Sequence, residues 1–398
     1  MNILSFADTR FPIERANGVQ TMATCRAMAA RGHHVTLLVR PDTAVPPRDP
    51  FQFYGVAPVS TFVIEAVTAR GGAAGRRMHM LWTGLRRAVS GGVDLVFTRD
   101  LGLAALLARL PASRRPKLVY ESHGIAPVVG ASMPALLGRP DLAPSARKIA
   151  RLDRREALVW KRADAYITIT QTLAADLNTR YGRRDRVFVV PDGASPAAPG
   201  PDRSPRHDAG PQRRVRAAYA GHLYPWKGVD VFVHALAAVP DVDGLIVGGH
   251  PGEPDLARVT SLAQSLNLGA RLTITGFLAP HEVAAALAAA DIFMLPNTST
   301  AISERYTSPL KLFEYLARGG AIIASDLPAL GEVLTHDKTA LLVPPGDPAA
   351  LAAALSALAA DPARRHRLGD AAKSLSATYT WDRRAERLDQ AFAAAVSA

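Results

Sequence analysis

IFMLPNTSTAISERYTSPLKLFEYLARGGAIIASD, residues 292–326, is the stretch whose reading decides the fold. It opens on a short apolar run at 292–295 and closes on a second at 322–325, with a segment of helical period between them. Two buried strands joined through a helix form a parallel pair, because a parallel partner needs a crossover connection. Within the stretch, Ser308 and Pro309 read as N-cap and first residue of a helix whose amides would point at an anion. Glu314 lies further along the same helix, where a carboxylate can accept two hydrogen bonds from a ribose diol; a solvated helix glutamate is the competing reading.

The same alternation continues outward. Strands are predicted at 3–7, 35–39, 95–98, 118–121, 166–169 and 187–190, then at 217–220, 245–247, 272–275, 292–295, 322–325 and 341–343, with Ala/Leu/Arg-rich helical stretches between them. The class is α/β, two Rossmann-like sheets in tandem. Between them GASPAAPGPDRSPRHDAGPQRR, residues 193–214, is rich in Pro and Gly and has no apolar period. The predicted division is a first domain at 1–195, a linker or surface loop at 196–214 and a second domain at 215–380. Beyond Trp381, apolar Ala385, Leu388, Phe392 and Val396 are spaced three to four apart, as on a terminal amphipathic helix over 381–398.

With 398 residues, 48% of them apolar and 21% charged, the chain is long enough for two domains that each bury a core. Its single cysteine, Cys25, excludes an internal disulfide and a Cys-based zinc site and points to a reducing compartment; it reads as a small buried hydrophobe in a helix. MNILSFAD has no basic region ahead of an apolar one, and no run of about 18 apolar residues occurs, so a cytoplasmic protein is expected. The net charge of +12 belongs to one half: residues 1–200 hold 28 Lys and Arg against 15 Asp and Glu, residues 201–398 hold 19 against 20. That asymmetry suggests an anionic partner, whether membrane surface, acidic acceptor or nucleic acid; an Arg- and Ala-rich codon bias is the plainer reading.

P-loop, H-E-x-x-H, G-x-S-x-G and an early G-x-G-x-x-G are all missing. What remains is a set of polar and glycine residues at strand C-termini, where open α/β sheets bind ligands. Gly18, just ahead of a helix, would let a ligand approach backbone amides. YESHG places Glu121 or His123, with Gly124, at the sheet edge. YAGHLYPWKGVD, residues 219–230, reads as strand, tight turn and helix, with Gly221 at the turn and Lys227 positioned to meet a phosphate; alone, that lysine would read as a solvated surface residue.

Taken together these residues resemble glycosyltransferase family 4, the retaining nucleotide-sugar transferases of GT-B fold, over nearly the whole chain. YAGHLYPWKGVD is similar to the family's G-R-L-x-x-x-K-G turn, LTITGFLAPHEVAAALAAADIFMLP to its base-binding region, SPLKLFEYLARGGAIIASDLPALGEVL to its C-terminal E-x7-E segment, and PDGAS to its P-N-G. The resemblance implies two domains facing a central cleft, with the last helix crossing back to the N-terminal domain. It implies a UDP- or GDP-sugar as substrate, with no cofactor and no metal. Phe277 would then lie near the base, Glu314 on the ribose, Lys227 with Gly221 and His222 at the diphosphate, and the stretch Ser308, Pro309 and Leu310 would line it with backbone amides. His123 corresponds to the active-site histidine and Gly18 to the loop facing donor and acceptor. The arginine expected after the first glycine is His222 here, and the first glutamate of E-x7-E falls on Tyr306, with Glu304 two residues away. Either Glu304 takes its role through another loop path, or backbone and Tyr306 hold the sugar.

The reading is a retaining, metal-independent transferase acting on a glycan, lipid or small-molecule acceptor, with front-face attack inherited from the resemblance. The rivals are a GT-B-fold epimerase and a non-catalytic basic protein that binds membrane or nucleic acid, although no nucleic-acid partner is expected for the transferase. The basic helix at 147–162, together with Arg76, Arg77, Arg86 and Arg87, reads either as an ordinary crossover helix or as a face resting on anionic lipid at the inner side of the membrane.

Overall fold

ILSF, residues 3–6, is buried and apolar except for Ser5, and it forms the middle of a parallel sheet. In the computed structural model, which describes residues 1–68, 71–195 and 214–397, this is strand β1 (Asn2–Arg10). It is followed by β2 (His34–Arg40), β3 (Phe62–Ala66), β4 (Leu95–Thr98), β5 (Lys117–Ser122), β6 (Ala165–Thr168) and β7 (Val187–Val189). The seven lie in the order β3-β2-β1-β4-β5-β6-β7, so the chain reverses its direction of winding between β1 and β4. Strand β3 has no counterpart among the predicted strands. It is an edge strand with Val63 half exposed, so FVIEA never builds the continuous apolar run that marks a buried strand.

The second sheet holds β8 (Val215–Ala220), β9 (Val242–Val247), β10 (Leu272–Ile274), β11 (Ile292–Leu295), β12 (Ala321–Ser325) and β13 (Leu341–Val343), in the order β10-β9-β8-β11-β12-β13. The two apolar runs of the opening stretch pair in parallel, Ile292 beside Ala321 through Leu295 beside Ala324. Here the winding reverses between β8 and β11, the place where such sheets open a crevice.

One compact unit comprises Met1–Pro134, Asp141–Asp192 and Trp381–Ala398; the other comprises Ala135–Pro140 and Gly193–Thr380. Residues 196–213 of the expected linker lie outside the described residues. The final helix, Trp381–Val396, packs Ala385, Leu388, Ala391, Phe392 and Ala395 into the first unit's core, Phe392 edge-on to Phe97 at 5.7 Å. Val396, expected on that stripe, is half exposed: the 3.6-residue period returns to the core at Ala395. Cys25 is buried and unpaired in the helix Ala16–Ala30. Among the described residues no helix is long and apolar enough to cross a membrane.

The basic stretch at 147–162 is the helix Ala146–Arg162, whose inner face carries Glu156, Val159 and Trp160. Two of the arginines grouped with it are engaged elsewhere. Arg77 bridges Asp8 and Asp100 at 2.6 Å, and Arg87 pairs with Glu65. Glu156 is not a surface charge at all: its carboxyl accepts the Ala126 N–H at 2.5 Å and the Tyr166 hydroxyl at 3.2 Å, and burial pushes its pKa up to about 7.

The folded state therefore holds that proton more tightly than the unfolded chain, and stability falls as pH rises from about 4.5 towards 7. Glu156→Gln keeps an acceptor for the Ala126 N–H and turns an amide N–H towards the Tyr166 oxygen, without the buried charge. It is expected to match the wild type near pH 4.5 and to exceed it by about 2 to 3 kcal/mol above pH 7, read from urea unfolding across that range.

Candidate functional site

At the end of β8 the chain turns at Gly221, whose φ of +127° disfavours any other residue and whose added Cβ would stand 3.4 Å from Lys311 Nζ. A short turn, Pro225–Lys227, leads into the helix Val229–Ala237 through Gly228. Gly228 is obligatory, since a Cβ there would lie 1.7 Å from the Pro296 carbonyl oxygen. That close approach clamps the turn against the loop leaving β11, where Thr298 N–H donates to Trp226 O at 3.1 Å. Lys227 is thereby set at the β8/β11 reversal, its Nζ 3.7 Å from the centre of the Trp226 ring, and burial lowers its pKa to about 8.

His222, where the family places arginine, stacks on Tyr224 at 4.9 Å and sets Nδ1 3.3 Å from Glu253 Oε2. Tyr224 donates to the other Glu253 oxygen at 2.8 Å. The ring faces a carboxylate of its own, so it contributes little net positive charge to the turn.

The helix after the TSP sequence spans Leu310–Arg318. Pro309 has ψ 125°, extended backbone, so it occupies the cap position and the helix starts one residue later than expected. Ser308 is consequently outside the N-cap position, and no side chain caps the first turn. Leu312, Phe313, Tyr315 and Leu316 enter the core, which leaves Lys311, Glu314 and Arg318 together at i, i+3 and i+7. Burial raises the Glu314 pKa against the opposing pull of Arg318 and Lys311. Lys311 Nζ sits 3.8 Å from the centre of the Tyr219 ring, buried and without a hydrogen-bond partner, as are the Trp226 indole N–H and both amide atoms of Asn297.

Glu304 belongs to the short helix Ala301–Arg305 and accepts a hydrogen bond from the Ser299 hydroxyl. Tyr306 ends that helix with its ring buried. Phe277, on the loop after β10, is 37% exposed and tilts against His250 at 5.8 Å. An exposed aromatic face at a sheet edge is available for stacking.

In the first unit, β5 ends in a buried carboxylate. Glu121 accepts from Gln20 Nε2 at 2.8 Å and Arg384 Nη2 at 2.5 Å, and His123 Nε2 stands 2.5 Å from its Oε1. Burial raises the Glu121 pKa, but Arg384 and the His123 hydrogen bond outweigh it and hold the carboxyl well below the usual range. Burial and the nearby Arg99 lower the pKa of His123, so its ring is neutral at pH 7. A cavity of about 260 Å³ opens at the β1/β4 reversal, lined by Asp8, Asn17, Gln20, Thr24, Arg99 and Asp100 among others. Gly18 is inside the first turn of its helix, with an added Cβ 2.3 Å from the Tyr54 hydroxyl and 2.6 Å from Ile13. Its small size makes room for those side chains, so it does not open the backbone to a ligand.

The structure thus gathers Gly221, Lys227, Ser308–Leu310 and Glu314 around the β8/β11 reversal, turns His222 towards Glu253, and puts His123 and Gly18 on the other unit. Sequence reasoning passed over Lys311, Asn297 and the Glu121–Arg384 pair. Only for Lys311 was a signal present, the i, i+3 spacing to Glu314. Among the described residues no group of three or more His, Cys, Asp and Glu could hold a metal ion.

Two family models account for most of the chain: "Glycosyl transferase 4-like domain" over residues 17–193 and "Glycosyl transferases group 1" over residues 205–375. A D-inositol 3-phosphate glycosyltransferase of Nocardia farcinica is 30% identical over 326 residues, 78% of this chain and 68% of that protein. Among solved structures, sucrose-phosphate synthase from Thermosynechococcus elongatus superposes with a TM-score of 0.76 at 21% identity over 99% of this chain and 98% of its own. Anabaena HepE in complex with UDP-glucose superposes with a TM-score of 0.73 at 18% identity over 99% of both chains. At these identities the two structures speak for the fold, and the sequence matches speak for the family. The chain belongs to the family-4 type of glycosyltransferases and has their GT-B fold.

Proposed function

We propose that the chain transfers a sugar, with retention of anomeric configuration and without a metal ion, from a nucleoside-diphosphate sugar to an acceptor hydroxyl. The observation that carries this reading is that the turn from Gly221 to Gly228, which bears Lys227, lies against Lys311 in the first turn of Leu310–Arg318, one turn ahead of Glu314. A cation and the amides at a helix N-terminus suit a diphosphate, and a carboxylate at that remove suits the ribose diol. Phe277 offers its exposed ring to the base. A UDP-sugar is the first donor to test, because HepE was solved with UDP-glucose; a GDP-sugar is the second.

In the reaction the bond from the sugar's anomeric carbon to the diphosphate oxygen breaks and one to the acceptor oxygen forms. Negative charge grows on the leaving diphosphate, where Lys227 and the helix amides oppose it in place of a metal ion. With Glu304 tied to Ser299, the acceptor attacks from the leaving-group face, and its proton passes to the departing phosphate oxygen. On the first unit, His123, oriented by Glu121, offers a neutral hydrogen-bonding group. The polar cavity at the β1/β4 reversal takes the acceptor, a hydroxylated molecule; the Nocardia relative's name specifies an inositol phosphate. The chain works in the cytoplasm, and the helix Ala73–Val89, exposing Met78 and Trp82 with Arg86 over the indole at 5.1 Å, rests with the basic face of Ala146–Arg162 on anionic lipid.

Glu314→Ala is expected to weaken uridine and UDP binding by about 1 to 3 kcal/mol in calorimetry, and unchanged affinity in a folded variant removes Glu314 from the site. Lys227→Ala lowers kcat more than it raises the donor KM, since the charge it meets develops in the transition state. In the wild type, UDP affinity declines as pH rises through about 8, where free Lys227 loses its proton. Sedimentation with phosphatidylserine vesicles at low salt, reversed by high salt and reduced in a Trp82→Ala/Arg86→Ala variant, supports the membrane contact; protein left in the supernatant at low salt refutes it.

A further inference from the structure

A transferase that discharges a diphosphate without a metal needs more than one positive charge at the leaving group, and the position after Gly221 does not provide the second: His222 is engaged with Glu253. A second cation is nonetheless present nearby. Lys311 opens the helix Leu310–Arg318, its Nζ within 3.4 Å of the space beside Gly221 and over the Tyr219 ring, with no hydrogen-bond partner. A buried ammonium normally finds an acceptor or is excluded, because leaving it unsatisfied costs stability. Asn297, fully buried in the loop leaving β11, has neither amide atom paired, and the Trp226 indole N–H is unpaired too. Four donor or acceptor groups without partners therefore collect round one turn of backbone that only glycines permit.

We propose that Lys311 is a direct ligand of the donor's diphosphate and the second cation, with Lys227, that stabilises the departing phosphate. The inference rests on the donor reading above and deepens it. It places the charge on a helix that also carries Glu314, so one rigid element binds ribose and diphosphate. The groups acting on Lys311 are Lys227, which repels its proton, and Glu314, which favours it; burial dominates and keeps its pKa well below the ordinary lysine value. Burial thus disfavours the charge on free Lys311, and an arriving diphosphate favours the protonated amine, so proton uptake on binding is expected to accompany UDP and not uridine.

The test is titration calorimetry of the full chain with uridine, UMP, UDP and GDP at pH 7.5, each in two buffers of different ionisation enthalpy, for the wild type, Lys311→Met and Lys311→Arg. Lys311→Met keeps the length of the side chain and removes an unpartnered buried amine, so its melting temperature is expected to hold or rise, which confirms that it is folded. The expected result is a UDP affinity lowered roughly tenfold to a hundredfold in Lys311→Met, with unchanged uridine affinity and reduced proton uptake, and substantial recovery in Lys311→Arg. Equal loss for uridine and UDP assigns Lys311 to holding Glu314 and overturns the proposal while leaving the donor reading intact. Wild-type affinity for UDP in Lys311→Met overturns it as well. If no nucleoside diphosphate binds the wild type at millimolar concentration, the donor reading and the proposal fall together.

Discussion

A guanidinium and a carboxylate, both stripped of water, hold the first unit in its working shape. Arg384 is 1% exposed and donates to protein from all three of its nitrogens: Nε to the Thr24 hydroxyl, Nη1 to the Val190 and Pro191 carbonyls, Nη2 to Glu121. Glu121 in turn receives Gln20 and His123. Such a pair is neutral at best against an apolar replacement, but removing one member strands the other at a cost of about 3 to 5 kcal/mol. Its value is specificity: it locks a helix from the end of the chain to the end of β5, and so fixes the carboxylate against which His123 is oriented.

The second unit treats its polar groups in the opposite way. Around the β8/β11 reversal, the side-chain polar atoms of Trp226, Asn297 and Lys311 are buried without a hydrogen-bond partner, each an expense of about 1 to 3 kcal/mol. The surrounding sheet and helices support this: Phe293 and Ile323 on strands and Phe232 and Tyr315 on helices are fully buried, and the turn is clamped by the Gly228 approach to Pro296. Rigid packing next to unmet hydrogen-bonding capacity is the arrangement expected where a ligand completes the structure, and a bound ligand returns that stability by mass action.

Much of this was written in local pattern. Twelve of the thirteen strands follow from β-branched runs, because parallel strands buried on both faces must be apolar at every position. Strand β3 escaped since an edge strand with Val63 in solvent keeps only half of that signature. The turn at YAGHLYPWKGVD was legible from its glycines, yet Gly18 shows the limit of that argument: a glycine can answer to a tyrosine hydroxyl 36 residues later in the chain as well as to a ligand. Pairings across distance left no local trace. Nothing near Glu121 announces Arg384, which lies 263 residues away, and nothing near His222 announces Glu253. Lys311 read as a helix lysine because sequence records charge and spacing but not whether water reaches the charge.

Where a charge is carried matters as much as that it is present. A cation on the turn after Gly221 is placed by the Gly228 clamp, yet its long side chain must still be ordered against a diphosphate at a cost in conformational entropy. A cation at the start of Leu310–Arg318 is held by Leu312, Phe313, Tyr315 and Leu316 in the core and pays that cost once, on folding. Spacing then couples it to Glu314 three residues on, so displacement of either group displaces both. Low dielectric around the site amplifies each interaction and also drives Lys227 and Lys311 towards neutrality in the absence of an anion. The same burial that makes these ammonium groups effective against a leaving diphosphate therefore also weakens their hold on a proton, and an arriving anion strengthens it.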